Sequence, residues 1–442
     1  MWYRISDIRF LRQTPLGRMQ IRHGLYLTAW PFLAPVAAVY RKVFLKKTRV
    51  VAVVGSLGKS TTVRAAAAAL KTALMPHAHR NYLSYVGGAL LCAKPIDPYV
   101  VIEVGVNRPG QMRQYASVLK PDMAIVTSIA SEHMGSFGSL EATRSEKSRM
   151  VAALPSSGIA VLNGDDPNVV WMKSRTKARV ATFGMGPDND VRASDIVLDW
   201  PGGMRFVLHS KAGAWPVRTK LFGRHMVYPL LAASAAALSF GIDPAEFIPR
   251  LEALGPTHGR MQIVPLASGA HILRDDYKST LETIHASLDT FAAVPAKRKI
   301  VVLGDVSEPP GNQGRIYGDI GARAGVIASE IILVGSSFQR YAAGIARAGF
   351  PRKKIIDAGK DILLAADALR GIIASGDAVL IKGRDTQRLD RITLALEGRK
   401  VACGISLCFN RMMTCEDCPM LERGWDGCVN MMEKRRKDLY RA

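Results

Sequence analysis

The residues best suited to chemistry come early, in the run Gly55-Ser56-Leu57-Gly58-Lys59-Ser60-Thr61-Thr62. Two glycines let a backbone turn tightly and approach a ligand, a lysine brings a cation, and the hydroxyls after it can offer oxygen to a divalent metal. Such a turn suits a phosphate if a strand delivers it and a helix leaves it, because first-turn N–H groups and the helix dipole then face the anion. The apolar run 50–54 predicts a buried strand before the turn, and the alanine-rich stretch after Thr62 predicts a helix. The literal eight-residue phosphate-loop pattern is not met, since its first glycine falls on Val53, and an ordinary strand-to-helix turn is the bland alternative. Glu103 closes a second apolar stretch, "YVVIEVG", at the strand end where parallel sheets gather their ligands.

These residues need a scaffold, and the pattern from Thr48 onward supplies one. Short β-branched runs at 49–55, 99–105, 123–129 and 158–164 alternate with helix-length stretches such as "TTVRAAAAALKTAL" and "SLEATRSEKSRMVAAL", the signature of parallel strands joined by helices. Residues 180–221 read as antiparallel strands extending an edge. The helical stretch "PLLAASAAALSFG" closes this series near Gly241, and a second begins with "HILRDDY", "KIVVLGDV", "EIILVG" and "DAVLIKG". The expected fold is α/β: a central phosphate-loop, parallel-sheet domain over 49–244 and a Rossmann-like domain over 245–402. A short apolar and basic arm precedes them at 1–48, and a cysteine-rich basic tail follows at 403–442.

A chain of 442 residues, 48% hydrophobic, can bury two cores. Its 60 lysines and arginines against 37 acids give a formal charge of +23, which attracts nucleotides, phosphorylated metabolites, anionic lipid or nucleic acid. No basic patch interleaved with aromatic residues argues for nucleic acid. The apolar segment 24–40 comes too late and is broken by Pro31 and Pro35, so it does not read as a secretory signal. It is marginal for spanning a bilayer and is followed by Arg41, Lys42, Lys46 and Lys47. Two readings stay open for it: peripheral attachment at the inner face of the cytoplasmic membrane, or an extended arm packed on the next domain. The expected location is the cytoplasm; oligomeric state is left open.

Cys92 is the sole cysteine of the first 400 residues, which excludes a secreted disulfide scaffold. Cys403, Cys408, Cys415, Cys418 and Cys428 cluster in the tail. Four thiolates could close a tetrahedral Zn²⁺ site or hold an Fe–S cluster, with buried or redox-active thiols as the alternative.

The compact spelling of the first loop resembles the ATP loop of the Mur ligases, which join amino acids or peptides to peptidoglycan precursors. "VIEVGVNRPGQM" (101–112), "SIASEHMGSFGSLEATRSEKSRM" (128–150) and "VLNGDDP" (161–167) resemble the family's next motifs in order, closest to the member that adds D-alanyl-D-alanine. The likeness covers about residues 49–395. It implies ATP- and Mg²⁺-dependent amide formation between a carboxylate and an amine, through an acyl phosphate, in cell-envelope or polymer biosynthesis. It further implies that residues 55–62 hold the nucleotide and that Ser60, Thr61, Glu103, His133 and Lys147 surround the metal, Lys147 matching a lysine often found as a carbamate. On the same resemblance, Lys59, Glu103, His133 and Lys147 form the expected catalytic set.

In the second half, the resemblance places Arg260 against the nucleotide phosphates, Asp276 toward the ribose and Lys278 toward phosphate. Lys382 and Arg384, in "LIKGRDTQRL", match a turn that helps to recognise the amine. Two departures stand out. Met226 and Pro229 occupy places where the family usually carries asparagines near the adenine. Only about 48 residues precede the loop, fewer than the family's UDP-sugar-binding domain needs, which favours a carboxylate on a lipid or polymer. The rival from another class is a nucleotide-binding scaffold associated with membrane or polyanion, without ligase activity; retention of Glu103, His133 and Lys147 together argues against it.

Overall fold

The structure is a computed structural model, described over residues 5–13, 15–76, 78, 80–131, 137–410 and 413–424. The chain divides into two compact units, Tyr26–Thr257 and the residues up to Leu25 together with the chain from His258 on.

In the first unit, β1 (Arg49–Val54), β2 (Tyr99–Glu103), β3 (Met123–Val126) and β4 (Ile159–Asn163) are parallel and almost wholly buried. Runs such as Val50, Val51, Ala52, Val53 and Val54 carry no polar side chain because helices cover both faces of the sheet. The strands β5 (Arg179–Gly184), β6 (Val191–Asp199), β7 (Gly203–Ser210) and β8 (Gly213–Thr219) complete the order β2-β1-β3-β4-β5-β6-β7-β8. The antiparallel reading of 180–221 holds for β6 to β8 and needs correction at its start. Strand β5 runs parallel to β4 because the connection through the helical residues 167–175 carries the chain back before β5, and the start of β6 pairs parallel with only the last two residues of β5, Phe183 and Gly184.

The chain before β1 is helical rather than extended, with helices Ile5–Gln13, Pro15–Thr28 and Trp30–Val43. Pro31, in the first turn of the third, lacks an N–H that would be unused there, so the apolar segment 24–40 is divided between two helices. No described helix is long and apolar enough to cross a membrane. Helix Trp30–Val43 packs its Trp30 ring edge-on to Tyr115, 5.4 Å between centroids, and its Tyr40 hydroxyl donates to the Ala93 carbonyl at 2.8 Å. Arg41 bolts it to the sheet. Its guanidinium donates to the carbonyls of Leu45, Thr48 (3.2 Å), Leu119 (3.1 Å) and Lys120 (3.2 Å), and pairs with Asp122 at 2.7 Å.

The second unit holds β9 (Gln262–Pro265), β10 (His271–Asp275), β11 (Lys299–Leu303), β12 (Glu330–Leu333), β13 (Ile355–Asp357) and β14 (Ala378–Lys382). Their order is β13-β12-β11-β14-β10-β9, parallel except for β9. The strands of the second series thus form one open sheet around Ile272, Ile300, Val302, Ile332, Val379 and Ile381. The described part of the tail folds onto it. Cys408 N–H donates to the Thr386 carbonyl at 2.7 Å, and the buried Arg391 donates to the carbonyls of Cys403 and Ile405.

Candidate active site

Strand β1 ends at Val54 and helix Lys59–Ala69 begins four residues later, so residues 55–58 form the turn that the first loop requires. Gly55 sits at φ +143°, and a Cβ there would lie 2.0 Å from Thr127 Oγ1. Gly58 caps the helix in the left-handed region at φ +81° and offers no side-chain acceptor to the first turn. The loop is held from β3's side. Ser56 N–H donates to the Ser128 carbonyl at 2.7 Å, Leu57 N–H to Ser128 Oγ at 3.2 Å, and Thr127 Oγ1 to the Leu57 carbonyl at 2.6 Å.

Two buried ammonium groups converge on this turn. Lys59 Nζ donates to the carbonyls of Gly55 and Ser56, both at 2.9 Å. Lys147 Nζ donates to Ser56 Oγ at 2.8 Å, and that hydroxyl accepts from Ala130 N–H at 2.9 Å. Lys147 rides on helix Leu140–Ala152, whose N-terminus is capped by Ser139 Oγ accepting from Ala142 N–H. Thr61 Oγ1 is turned to Thr257 Oγ1 at 3.1 Å and is 1% exposed, whereas Ser60 is half-buried.

Glu103 lies on β2 in register with Val53 of β1, one strand from the loop, and is 4% exposed. Its Oε1 accepts from Asn81 Nδ2 at 2.7 Å, and its Oε2 is buried with no hydrogen bond among the described residues. An ionised oxygen without a donor in the interior is costly, and a divalent cation is the partner that fits it. Asn81 was missed from the sequence; its distance of more than twenty residues from Glu103, across an irregular segment, left no periodic signal. His133 falls outside the described residues.

At the end of β4, Asp165 accepts from Gly186 N–H (3.0 Å), Asn189 Nδ2 (2.8 Å) and the Tyr228 hydroxyl (2.9 Å). Burial and the neighbouring Asp165 carboxylate push the Tyr228 phenol well up, so it stays a donor. Met226, at the N-cap, and Pro229, in the first turn of the alanine-rich helix, are buried, and Tyr228 between them supplies the polar contact.

In the second unit, the C-terminal ends of β10 and β14 meet. Lys382 Nζ pairs with Asp275, which also accepts from Ser287 Oγ, and it donates to the Lys278 carbonyl at 2.7 Å. Burial pushes Lys382 down from the ordinary lysine value while Asp275 pulls it back. Asp276, expected near a ribose, is 5% exposed and forms a buried ion pair with Arg274 at 3.2 Å. Arg260 lies over the Tyr277 ring, 4.7 Å from its centroid, and Lys278 is half-buried. Arg384 reaches Asp305 at 3.7 Å, and Gln387 Oε1 accepts from Asp305 N–H at 2.7 Å. Asp305 was quoted only as a strand end in "KIVVLGDV"; its position just past β11 was the available signal.

The tail cysteines give no metal centre among the described residues, where no group of three or more His, Cys, Asp or Glu side chains could hold an ion. Cys403, Cys408 and Cys415 are buried and Cys418 half-buried. Burial, reinforced by Asp390, pushes the Cys415 thiol far up, which matches the buried-thiol alternative. Cys428 lies outside the described residues.

Comparison with known proteins matches residues 53–237 to the Mur ligase middle domain and 259–384 to the glutamate ligase domain of Mur ligases. The chain belongs to the Mur ligase family. It is 28% identical to the UDP-N-acetylmuramoyl-tripeptide–D-alanyl-D-alanine ligase of Mycobacterium leprae over 79% of this chain and 73% of that protein. The enzyme of the same name from Escherichia coli is 31% identical over 59% of this chain and 58% of that one. Among solved structures, the MurF ligase of Thermotoga maritima in complex with ADP shares the fold, with TM-score 0.73, 22% identity and 84% of each chain covered. The expected α/β architecture and the Mur resemblance are thereby borne out, and with family membership comes ATP-dependent amide-bond formation.

Proposed function

We propose that this Mur ligase activates a carboxylate of a cell-envelope or polymer precursor as an acyl phosphate and joins it to an amine, releasing ADP and phosphate. The observation that carries the reading is the buried Oε2 of Glu103, without a hydrogen-bond donor among the described residues, one strand from a loop flanked by the Lys59 and Lys147 ammonium groups. In the first step a substrate carboxylate oxygen bonds to the γ-phosphorus and the bond to ADP breaks. In the second an amine nitrogen attacks the acyl carbon, phosphate leaves, and the amine gives up a proton. Both steps concentrate negative charge, so the site has to supply cations and oriented N–H groups more than a strong base.

Lys59 and the first-turn amides of helix Lys59–Ala69 would receive the β and γ phosphates, the ammonium exchanging its two loop carbonyls for phosphate oxygens. Lys147 would fix Ser56 and with it the shape of the turn. Glu103 and Ser60 fit Mg²⁺, which when bound would neutralise phosphate charge; His133 joins them by resemblance alone. Arg260, Lys278, Lys382 and Arg384 are proposed for the nucleotide phosphates and the incoming amine, while Asp276 acts through Arg274. Relatives named for adding D-alanyl-D-alanine to a UDP-N-acetylmuramoyl tripeptide suggest a peptide carboxylate and a short amine nucleophile. Peripheral contact with the cytoplasmic membrane belongs to the same reading.

The test is a hydroxylamine trap. Protein, ATP, Mg²⁺ and a panel of peptidyl and polymer carboxylates should yield hydroxamate with matching ADP; tight nucleotide binding without hydroxamate from any carboxylate would refute the ligase assignment.

A further inference from the structure

Helix Trp30–Val43 shows two faces of unlike character. One, with Ala37 and Arg41 buried and Trp30, Ala34 and Tyr40 packed on the core, holds it to the sheet. The other exposes Phe32 (78%), Val36 (57%), Val39 (58%) and Val43 (49%), at i, i+4, i+7 and i+11, and runs on to Phe44. A stripe of large apolar side chains on the outside of a helix whose other face is already docked is not explained by folding. Ile96, 86% exposed, projects from the loop before β2, whose start the Tyr40–Ala93 bond ties to the same helix.

The charge around the stripe is of one sign. Residues 8–96 contain no aspartate or glutamate. Lys42, Lys46 and Lys47 are exposed at the stripe's C-terminal end, just before β1 begins. The cationic rim continues into an open cavity of about 580 Å³ lined by Arg113, Lys120 and Arg149, where Asp122 is already paired with Arg41 and Arg49. The lysine end of the helix lies at the amino edge of the parallel strands, opposite the carboxyl edge that bears Lys59 and Glu103. We propose that the exposed stripe of helix Trp30–Val43 and its lysine rim dock on an anionic lipid bilayer, apolar side chains entering the interface and Lys42, Lys46 and Lys47 meeting the headgroups. This deepens the membrane setting of the proposed function by naming the surface and the lipid class, and it does not depend on the identity of the ligase substrates.

The experiment is co-sedimentation of the full chain, without nucleotide or substrate, with vesicles of phosphatidylcholine alone or mixed with phosphatidylglycerol. Binding should favour the anionic vesicles and fall with salt. Replacing Lys42, Lys46 and Lys47 by Gln should weaken it about 100-fold, at roughly fivefold per lysine. Phe32→Ser with Val36→Ser and Val39→Ser should abolish it, while circular dichroism and ATP binding stay unchanged. Equal binding to both vesicle types, no binding to either, or full binding by either triple variant would overturn the proposal. So would a lipid-free dimer of the parent chain that the serine variant loses, which would assign the face to a second copy. A failed hydroxylamine trap leaves this result standing, and a failed sedimentation leaves the ligase reading standing.

Discussion

At the level of single residues, the two lysines beside the loop do different work. Lys59 holds loop carbonyls that a phosphate would replace, whereas Lys147 holds a hydroxyl, Ser56 Oγ, inside the framework. Lys59→Met should therefore leave the fold intact and lower ADP release in the ligase assay about 100-fold or more, the scale of losing one preorganised charge contact in a transition state. Glu103→Gln keeps an acceptor for Asn81 but removes the charge at Oε2, the oxygen with no donor among the described residues. Its activity should fall about as far, and the Mg²⁺ concentration for half-maximal rate should rise; an unchanged Mg²⁺ profile would take Glu103 out of the metal site.

At the level of elements, the paired helices of the second unit carry a pH response. His285 on helix Leu281–Ala292 accepts at Nδ1 from Arg323, which can only donate, so the bond requires the neutral ring. Burial first, and Arg323 next, push His285 below the ordinary imidazole value. A lowered pKa means the folded state binds fewer protons than the unfolded chain, so this contribution is present above about pH 6.5 and lost as pH falls. Urea midpoints at about pH 7.5 and 5 should differ more for the parent than for His285→Gln, whose amide oxygen accepts without titrating. Both sheets were legible beforehand because unbroken apolar, largely β-branched runs such as 50–54 and 300–303 have few other ways to be buried. The loop was legible because its chemistry is contiguous. What stayed hidden depends on partners far along the chain: Asn81 on Glu103, Tyr228 on Asp165, and the parallel placement of β5, whose short run looks alike in either direction. Asp276 was placed toward the ribose by resemblance alone; its ion-pair partner Arg274, two residues away on the same strand end, gave no periodic signal.

At the level of the whole molecule, a +23 chain whose residues 8–96 lack any acid distributes its charge unevenly. Arg41 is the point where the helix ahead of β1 meets the sheet. Arg41→Ala should destabilise the unit Tyr26–Thr257 by about 3 kcal/mol, because it strips the nearer and more buried of two cationic partners from a partly buried Asp122 and donors from four carbonyls. Chemical unfolding followed by tryptophan fluorescence would measure it, with Arg41→Lys falling between the two. The same contact warns against a tempting truncation. Cutting the protein just ahead of β1, as though the preceding helices were a detachable leader, would unplug a guanidinium from five oxygen sites at once. The shortened polypeptide would be expected in inclusion bodies, and its inactivity would say nothing about catalysis.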